Sequence, residues 1–242
     1  RAAIYIDHNT SNFLVAGNTF TSNQYPLTMF PYNLDGNVYG NTYSDNFILP
    51  DSTSSDFIWV LGANGDEAHV RNGTYNWLAD GAPYRIATRL IYFGGGDANT
   101  STIKLHPGTQ LYFEEDKWLK IGRNATEWGS IEADSVLFTA VGGMWDGIYM
   151  TNYSRDESSY IDGSTIEKTV DKGIWIVHSS PTISNNDIVD NLGYGIFVEG
   201  NGSNPQIMNN NFSRNLSAIY IDHSTSNFLV AGNTFTSNQY PL

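Results

Sequence analysis

The chain contains no cysteine and few basic residues, and each absence excludes something. Its 242 residues include 0 Cys, and 12 Lys and Arg stand against 25 Asp and Glu, for a net charge of −13. Without cysteine there are no disulfides and no thiolate metal ligands, although this does not fix the cellular compartment. So acidic a chain has no basic surface for nucleic acid or anionic lipid, and we expect neither as a partner.

Long hydrophobic runs and helical patterns are also absent. No apolar run approaches the roughly 18 residues that a membrane-spanning helix needs, so we expect no membrane span. Gly, Asn, Ser and Thr recur at short intervals, and no stretch keeps apolar residues at helical spacing, which predicts an all-β fold with many turns. The start, Arg1-Ala2-Ala3, has neither an initiator Met nor a signal peptide, which indicates a mature or excised chain.

One stretch of the sequence occurs twice. Residues 3–27 return as residues 218–242, 215 positions later, with Asn9 against Ser224 as the single mismatch. Self-similarity at a fixed period is the sequence pattern of repeat architectures. We therefore expect one 215-residue unit plus the overlap into the next, within a longer tandem array.

Shorter repeats lie inside this unit. Pairs of asparagines five residues apart recur 23 or 24 residues later in two regions of the chain, namely Asn18, Asn23, Asn41, Asn46, Asn186, Asn191, Asn210, Asn215, Asn233 and Asn238. Apolar residues keep the same spacing, so that Ile183, Ile207 and Val230 would superimpose at about 4.8 Å. This predicts a right-handed parallel β-helix with coils of about 23 residues. The asparagines are expected to adopt left-handed turn geometry and to form ladders from coil to coil.

Each repeat continues into a third strand. Residues 195–198, 218–221 and 240–242, with 25–29 in the first copy, are expected to stack as one sheet, with Leu27, Met29, Ile196 and Ile219 inward and Tyr220 outward. Residues 47–100 fit the repeat poorly and are predicted to be longer coils with an excursion loop. Regular coils resume at Ser101, so a single β-helix segment is predicted over 1–242.

Several segments resemble a known group of proteins. The segments are IKLHPGTQLYF from Ile103, SIEADSVLFTA from Ser130, WDGIYM from Trp145, and SSPTISNNDIVDN from Ser179 with the following GYGIFV. In this order they resemble the right-handed β-helix repeat domains of archaeal and bacterial cell-surface proteins, of the NosD-like or disaggregatase-related kind. The resemblance covers residues 100–242 and the repeats of 3–49. It implies a secreted or surface-anchored structural array, sometimes with carbohydrate-directed activity.

The functional expectation is therefore a structural extracellular protein rather than an enzyme. Tandem units would build a fibre, sheath or surface layer, with the protein itself as partner end to end and laterally, and with envelope glycans as further partners. The alternative is a polysaccharide lyase or hydrolase, or a carbohydrate-binding module. Its candidate acids, Asp187, Asp190, Asp146, Asp162 and the pair Asp222-His223, form no convincing set. No catalytic residue is assigned.

Three kinds of surface site remain open. Oxygen-rich clusters at 51–56, 114–116 and 156–157 could hold Ca²⁺, but solvated charge explains them better, so no cofactor or metal ligand is assigned. Outward Tyr149, Trp175 and Tyr220 would either stack against sugars or cover a lateral contact. Sequons for N-glycosylation occur at Asn9, Asn72, Asn99, Asn124, Asn152, Asn201, Asn211 and Asn215.

Overall fold

The computed structural model describes residues 2–7, 9–47, 56–62, 66–95, 100–222 and 227–241. Short strands within these residues stack coil upon coil into three long parallel sheets. Helix is confined, in this part of the chain, to two 3-10 turns at Pro31–Asn33 and Asp156–Ser158. The fold is therefore a parallel β-solenoid, as the Gly- and Asn-rich pattern predicts.

The strands are assigned to sheets as follows. Sheet 1 contains β1 (Ala2–Tyr5), β4 (Tyr25–Met29), β7 (Ile58–Val60), β10 (Tyr84–Ile86), β14 (Gln110–Phe113), β17 (Leu137–Ala140), β20 (Thr165–Glu167), β23 (Asp187–Val189), β26 (Asn211–Ser213) and β29 (Thr234–Thr236). Sheet 2 contains β8 (Glu67–Val70), β11 (Arg89–Tyr92), β15 (Trp118–Ile121), β18 (Gly147–Met150), β21 (Lys172–Val177), β24 (Tyr194–Glu199) and β27 (Ser217–Ile221). Sheet 3 contains β9 (Gly73–Trp77), β13 (Ser101–Leu105), β16 (Glu127–Asp134), β19 (Tyr160–Asp162), β22 (Thr182–Ser184), β25 (Gln206–Met208) and β28 (Leu229–Ala231), with β12 (Gly94–Gly95) antiparallel to β16. Two small sheets pair β2 (Val15–Ala16) with β5 (Val38–Tyr39) and β3 (Thr19–Thr21) with β6 (Thr42–Ser44).

Coil length varies along the axis. Hydrogen-bonded partners on adjacent coils are 23 residues apart at both ends, as in Asn18 with Asn41 and Asn215 with Asn238. In the middle the spacing grows to 28, as in Val136 with Ser164. The predicted coil length thus fits the end coils, whereas the central coils are longer because their corners hold more residues, including the second 3-10 turn.

The core is a continuous stack of apolar side chains inside the three sheets. Along sheet 1, Leu27, Ile58, Tyr84, Leu111 and Phe138 follow one another in register, and each is at most 1% exposed. Fully burying such a side chain contributes about 1.5–3 kcal/mol. In-register apolar columns therefore hold together a chain that has no disulfide.

The predicted third sheet is correct at the C-terminal end and wrong at the N-terminal end. Ile196 and Ile219 pair in sheet 2, and Tyr220 points outward. Leu27 and Met29 are inward and fully buried as expected, but their strand pairs with β7 in sheet 1. The sequence pattern specifies the strand and its inward face, whereas the side of the solenoid depends on the length of the coil that follows. That coil is long, because the residue that pairs with Leu27 on the next coil is Ile58.

Residues 56–62 and 66–95 are more regular than their sequence suggests. Strands β7 to β11 take places in all three sheets, with Ile58, Tyr84 and Leu90 in the core. Residues 48–55, 63–65 and 96–99 of this region lie outside the described residues, so the expected excursion loop stays a prediction. Longer corners rather than a different fold account for the poor fit of this region.

Candidate functional site

Two features of the solenoid present polar or aromatic side chains in regular order, and the first is a pair of asparagine ladders. At each step the backbone N–H and the Nδ2 of one asparagine both donate to the Oδ1 of the asparagine one coil further on. The donor–acceptor distances are 2.8 to 3.3 Å for Asn18 to Asn41, Asn23 to Asn46, Asn186 to Asn210, Asn191 to Asn215, Asn210 to Asn233 and Asn215 to Asn238. In the coils that carry them, the ladders satisfy backbone N–H groups at two corners.

The left-handed residue at these corners is the one before the asparagine, not the asparagine itself. Positive φ angles of 53° to 68° occur at Gly17, Ser22, Gly40, Asp45, Asn185, Asp190, Asn209, Arg214, Gly232 and Ser237. Each of these residues directly precedes a ladder asparagine. The expectation of left-handed ladder asparagines is therefore wrong, because the preceding residue makes the bend and leaves the asparagine amide aimed along the axis.

The ladders end on residues that the sequence repeat does not reveal. Asp80 is 2% exposed, and its carboxylate accepts the N–H and Nδ2 of Asn41 and the hydroxyl of Tyr43. Burial is the main cause that raises the pKa of Tyr43, and the nearby Asp80 carboxylate raises it further. The Asp56 carboxylate likewise accepts hydrogen bonds from the N–H and the Nδ2 of Asn46. A carboxylate accepts but cannot donate, so a ladder that runs in this direction stops there.

The second feature is the outer face of sheet 2, where a column of aromatic and basic side chains stands in register. Lys120, Tyr149, Trp175, Phe197 and Tyr220 occupy equivalent positions on five successive coils. Tyr149 and Trp175 stack at 4.5 Å between ring centroids, and Phe197 and Tyr220 stack at 4.7 Å. We call these five residues the aromatic column.

Lysines fill the remaining ring faces. The Nζ of Lys172 lies 4.7 Å from the Trp175 centroid and 5.1 Å from that of Phe197, and the Nζ of Lys120 lies 5.0 Å from that of Tyr149. Such cation–π contacts contribute about 0.5–1 kcal/mol each at exposed sites. Because the ring faces meet each other or a lysine, Tyr149 and Trp175 cannot stack flat against a sugar, as one sequence-based alternative requires.

A groove of about 440 Å³ opens beside the column. Its lining residues are Trp118, Lys120, Asp146, Tyr149, Val170, Asp171, Lys172 and Trp175. Burial lowers the pKa of Lys120, and nearby Arg123 adds to this effect while Glu67 opposes it. Partial burial and then nearby Asp116 raise the pKa of Asp146 at the rim. The groove thus combines indole and phenol edges with ammonium and carboxylate groups.

The geometry agrees with a comparison of the sequence with family models. Residues 131–241 match the model described as "Right handed beta helix region". The chain is a right-handed parallel β-helix. The matched residues run from within β16 through β29 and include the C-terminal ladders. Neither curated proteins nor solved structures gave a match.

The candidate acids are dispersed over the β-helix. Asp187 lies on the outside of sheet 1 and accepts a hydrogen bond from Asn211, while Asp162 lies on sheet 3 and accepts from Ser184 and Asn185. Asp190 forms a two-pronged ion pair with Arg214, at 2.6 and 2.7 Å, which lowers its pKa. Asp146 precedes β18 and Asp222 follows β27, both on sheet 2, while His223 and its counterpart His8 lie outside the described residues. The structure does not bring these acids together.

The acidic clusters are engaged with protein groups where they are described. Glu114 accepts from Arg85 at 2.8 Å, and Asp156 accepts from the hydroxyl of Ser179 and the N–H of Ser180. Residues 51–55 lie outside the described part. Within the ranges that the structure covers, no three His, Asp or Glu residues approach closely enough to hold a metal ion.

The sequons fall into two classes. Asn215 is 3% exposed and forms part of a ladder, so a glycan at this position would require the coil to open. Six others are on the surface, namely Asn9, Asn72, Asn124, Asn152, Asn201 and Asn211, and Asn99 lies outside the described residues. The described residues contain no helix long and apolar enough to cross a membrane.

Proposed function

We propose that this β-helix is a unit of an extracellular structural array, in which tandem units stack into a fibre, sheath or surface layer. The proposal rests on one observation: the coil that follows the first copy of the duplicated stretch covers the apolar residues of that copy. In the first copy, Val15 and Phe20 are each 4% exposed because Val38 and Tyr43 lie on them one coil further on. The second copy has the same residues, Val230 and Phe235, and thus the surface on which an equivalent coil fits.

A ridge of apolar residues supports lateral packing in such an array. Val170, Leu192 and Leu216 each follow a ladder residue at the corner between sheets 1 and 2, and they are 49%, 59% and 41% exposed. They stand one above another on successive coils, beside the aromatic column. An exposed apolar ridge along the axis favours association of neighbouring solenoids.

Surface location is tested on intact cells of the source organism. Antibody labelling of unpermeabilised cells is expected to reveal the protein at the envelope, and protease added outside should degrade it without lysis. A cytoplasmic marker serves as the control for lysis. Detection only after cells are opened would contradict the proposal.

Glycan binding in the groove on sheet 2 is a second candidate function. The observation that favours it is Lys120, which has no hydrogen-bond or ion-pair partner among the described residues although burial depresses its pKa. An acidic sugar would supply a direct ion-pair partner in addition to nearby Glu67, while Asp146 and Asp171 would accept hydrogen bonds from its hydroxyls.

Binding is tested with immobilised uronate-containing and neutral polysaccharides, with and without Ca²⁺. Lys120→Met is expected to weaken retention on the acidic glycan about tenfold, which corresponds to about 1.4 kcal/mol. Lys104→Met on sheet 3 is the matched control, because it removes an equivalent charge away from the groove. Equal effects of both substitutions would exclude specific binding there, and release of new glycan ends, abolished by Asp146→Asn, would instead indicate an enzyme.

A further inference from the structure

An apolar groove of about 510 Å³ opens at the C-terminal end of the solenoid, on the second copy of the duplicated stretch. Three of its aromatic side chains are exposed, since Tyr220, Phe228 and Tyr240 are 43%, 40% and 56% exposed. None of the described residues that line it is charged, so it suits an apolar partner. We call it the terminal groove, and its lining from the second copy is Ile219, Tyr220, Ile221, Phe228, Val230 and Tyr240.

The structure shows what covers the same residues in the first copy, 215 positions earlier. The chain that continues from the first copy, residues 28–39, lies over them. Tyr5 pairs with Thr28 in a parallel register, and the N–H of Ile6 donates to the carbonyl of Thr28 at 2.9 Å. The molecule thus contains a covered example of its own open groove.

A 3-10 turn, Pro31–Asn33, is part of this cover. Phe30, directly before the turn, meets the ring of Tyr5 edge to face at 6.1 Å between centroids, and Phe30 is 4% exposed. The Nδ2 of Asn33 donates to the carbonyl of Thr10 at 2.9 Å. The turn therefore joins aromatic packing to a directed hydrogen bond.

Two neighbouring residues show which side chains the cover reaches. In the first copy Phe13 packs against the core, whereas Leu14 stays 63% exposed. Their counterparts in the second copy, Phe228 and Leu229, are 40% and 45% exposed. A segment that covers the second copy in the same way should bury Phe228 and leave Leu229 in solvent.

We propose that the terminal groove is the binding site for a second copy of residues 28–39, supplied by the following unit. This inference rests on the tandem array proposed above. The segment would continue from Tyr240, which bridges to Ser217 in the same parallel register as Tyr25 with Ala2 in the first copy. The register of the incoming strand is therefore already set.

The site would recognise its partner by strand pairing and by side chains together. A strand that adds to a sheet edge gains affinity from main-chain hydrogen bonds and specificity from the pockets that its alternate side chains fill. Met29 is 0% exposed in the first copy, so its counterpart would point inward. Phe30 would lie against Tyr220, and Pro31 fixes the backbone at the start of the turn.

The test extends the protein by residues 28–47, placed directly after residue 242. Because the chain has no cysteine, Met29→Cys in the extension alone introduces a single thiol. With a water-soluble disulfide reagent, this thiol is expected to react about a hundredfold more slowly than in a free peptide of residues 28–47, because it is reached only when the segment opens. Tyr39→Cys in the extension should react as fast as in the peptide, since Tyr39 is 46% exposed in the first copy.

Two substitutions in the groove complete the design. Phe228→Asp, which places a charge under the segment, is expected to restore the fast reaction of the Met29→Cys thiol. Leu229→Asp is the matched control and should leave that reaction slow. Both positions are exposed in the unextended chain, so both variants should fold, which circular dichroism checks.

Two results would overturn the inference. A Met29→Cys thiol that reacts as fast as in the peptide would show that the segment does not dock. A slow reaction that Phe228→Asp leaves unchanged would show that the extension stacks without using the groove, as the array alone requires. The array itself is judged separately, from the axial repeat in the envelope, so the groove can fail while the array stands.

Discussion

At the residue scale, Asn210 shows how one side chain joins three coils. Its Oδ1 accepts from the N–H and Nδ2 of Asn186, and its own Nδ2 donates to the carbonyl of Ile183 and to Oδ1 of Asn233. Asn210 is buried, with only 1% of its surface exposed. Removing it would leave buried donors and acceptors on the coils before and after it without partners.

We expect Asn210→Ala to lower the free energy of unfolding by about 3 kcal/mol, because unsatisfied buried polar groups cost about 1–3 kcal/mol each. Urea denaturation measures the change. Asn211→Ala is the control, since Asn211 is exposed and its side chain donates to Asp187 on the surface, and about 0.5 kcal/mol or less is expected there. Equal losses for the two variants would show that the ladder has no special role in stability.

Arg214 allows a prediction about pH. Its hydrogen bonds are the largest cause that holds the pKa of Asp190 below 3.8. A lowered folded-state pKa stabilises the protein above the unfolded-state pKa, and this contribution is lost as the pH falls through the folded-state value. Arg214→Gln should raise the pKa of Asp190 and lower stability slightly near neutral pH, with the difference vanishing as the pH falls through the folded-state pKa of Asp190.

Carboxyl NMR titration measures this pKa, and urea midpoints at several pH values measure the linkage. Arg214→Lys is the control, because it keeps the positive charge while losing the two-pronged geometry. A stability difference that is the same at every pH would show that Arg214 acts through packing rather than through Asp190.

The ladder asparagines could be predicted from their spacing alone, whereas the residues at which the ladders end could not. Asn186 and Asn210 occur at the same position of successive coils, so the period of the sequence reveals them. Asp80 lies 39 residues after Asn41, and Asp56 only 10 residues after Asn46, because the coil lengths change there. Periodicity cannot reveal a partner at a point where the period itself breaks.

At the element scale, the starts of three successive sheet 2 strands, β18, β21 and β24, are closely packed against the next coil. A Cβ added at Gly195 would lie 2.6 Å from the carbonyl oxygen of Ala218, and one added at Gly173 would lie 2.6 Å from that of Gly195. Gly147 has the same close approach to Lys172. Glycine at this position allows the coils to approach at the spacing of a parallel sheet.

Gly195→Ala is therefore expected to destabilise the solenoid by about 1–3 kcal/mol, the usual cost of forcing an extra carbon into a packed interior. Thermal and urea unfolding measure the loss. Gly143→Ala is the matched control, because nothing lies within 4 Å of a Cβ there and its φ is not in the left-handed region. An unchanged Gly195→Ala variant would contradict the close packing of the coils.

Strand positions and inward faces followed from the sequence, but sheet membership did not. The alternation in 25–29 correctly predicts that Leu27 and Met29 point inward. Which side of the solenoid they line depends on the total length of the following coil and its corners, and no local pattern encodes that length. The groove was missed for the same reason, because Trp118, Asp146 and Trp175 come from three coils with unequal spacing.

At the scale of the whole molecule, the account depends on continuity between units. One unit advances eight coils, from Asn18 to its counterpart Asn233 on the same corner, or about 40 Å at the strand spacing. Sheet 1 runs through this whole distance with parallel strands, and sheets 2 and 3 join it from β8 and β9 onward. The duplicated coil gives one unit a surface that the next can extend.

Continuity between units is tested by the axial repeat of the assembled protein, taken from its native envelope and measured by cryo-electron microscopy. The account predicts continuous rods with an axial period near 40 Å and a strand spacing of about 4.8 Å along the rod. Discrete globular particles, or rods without a period near that length, would contradict it.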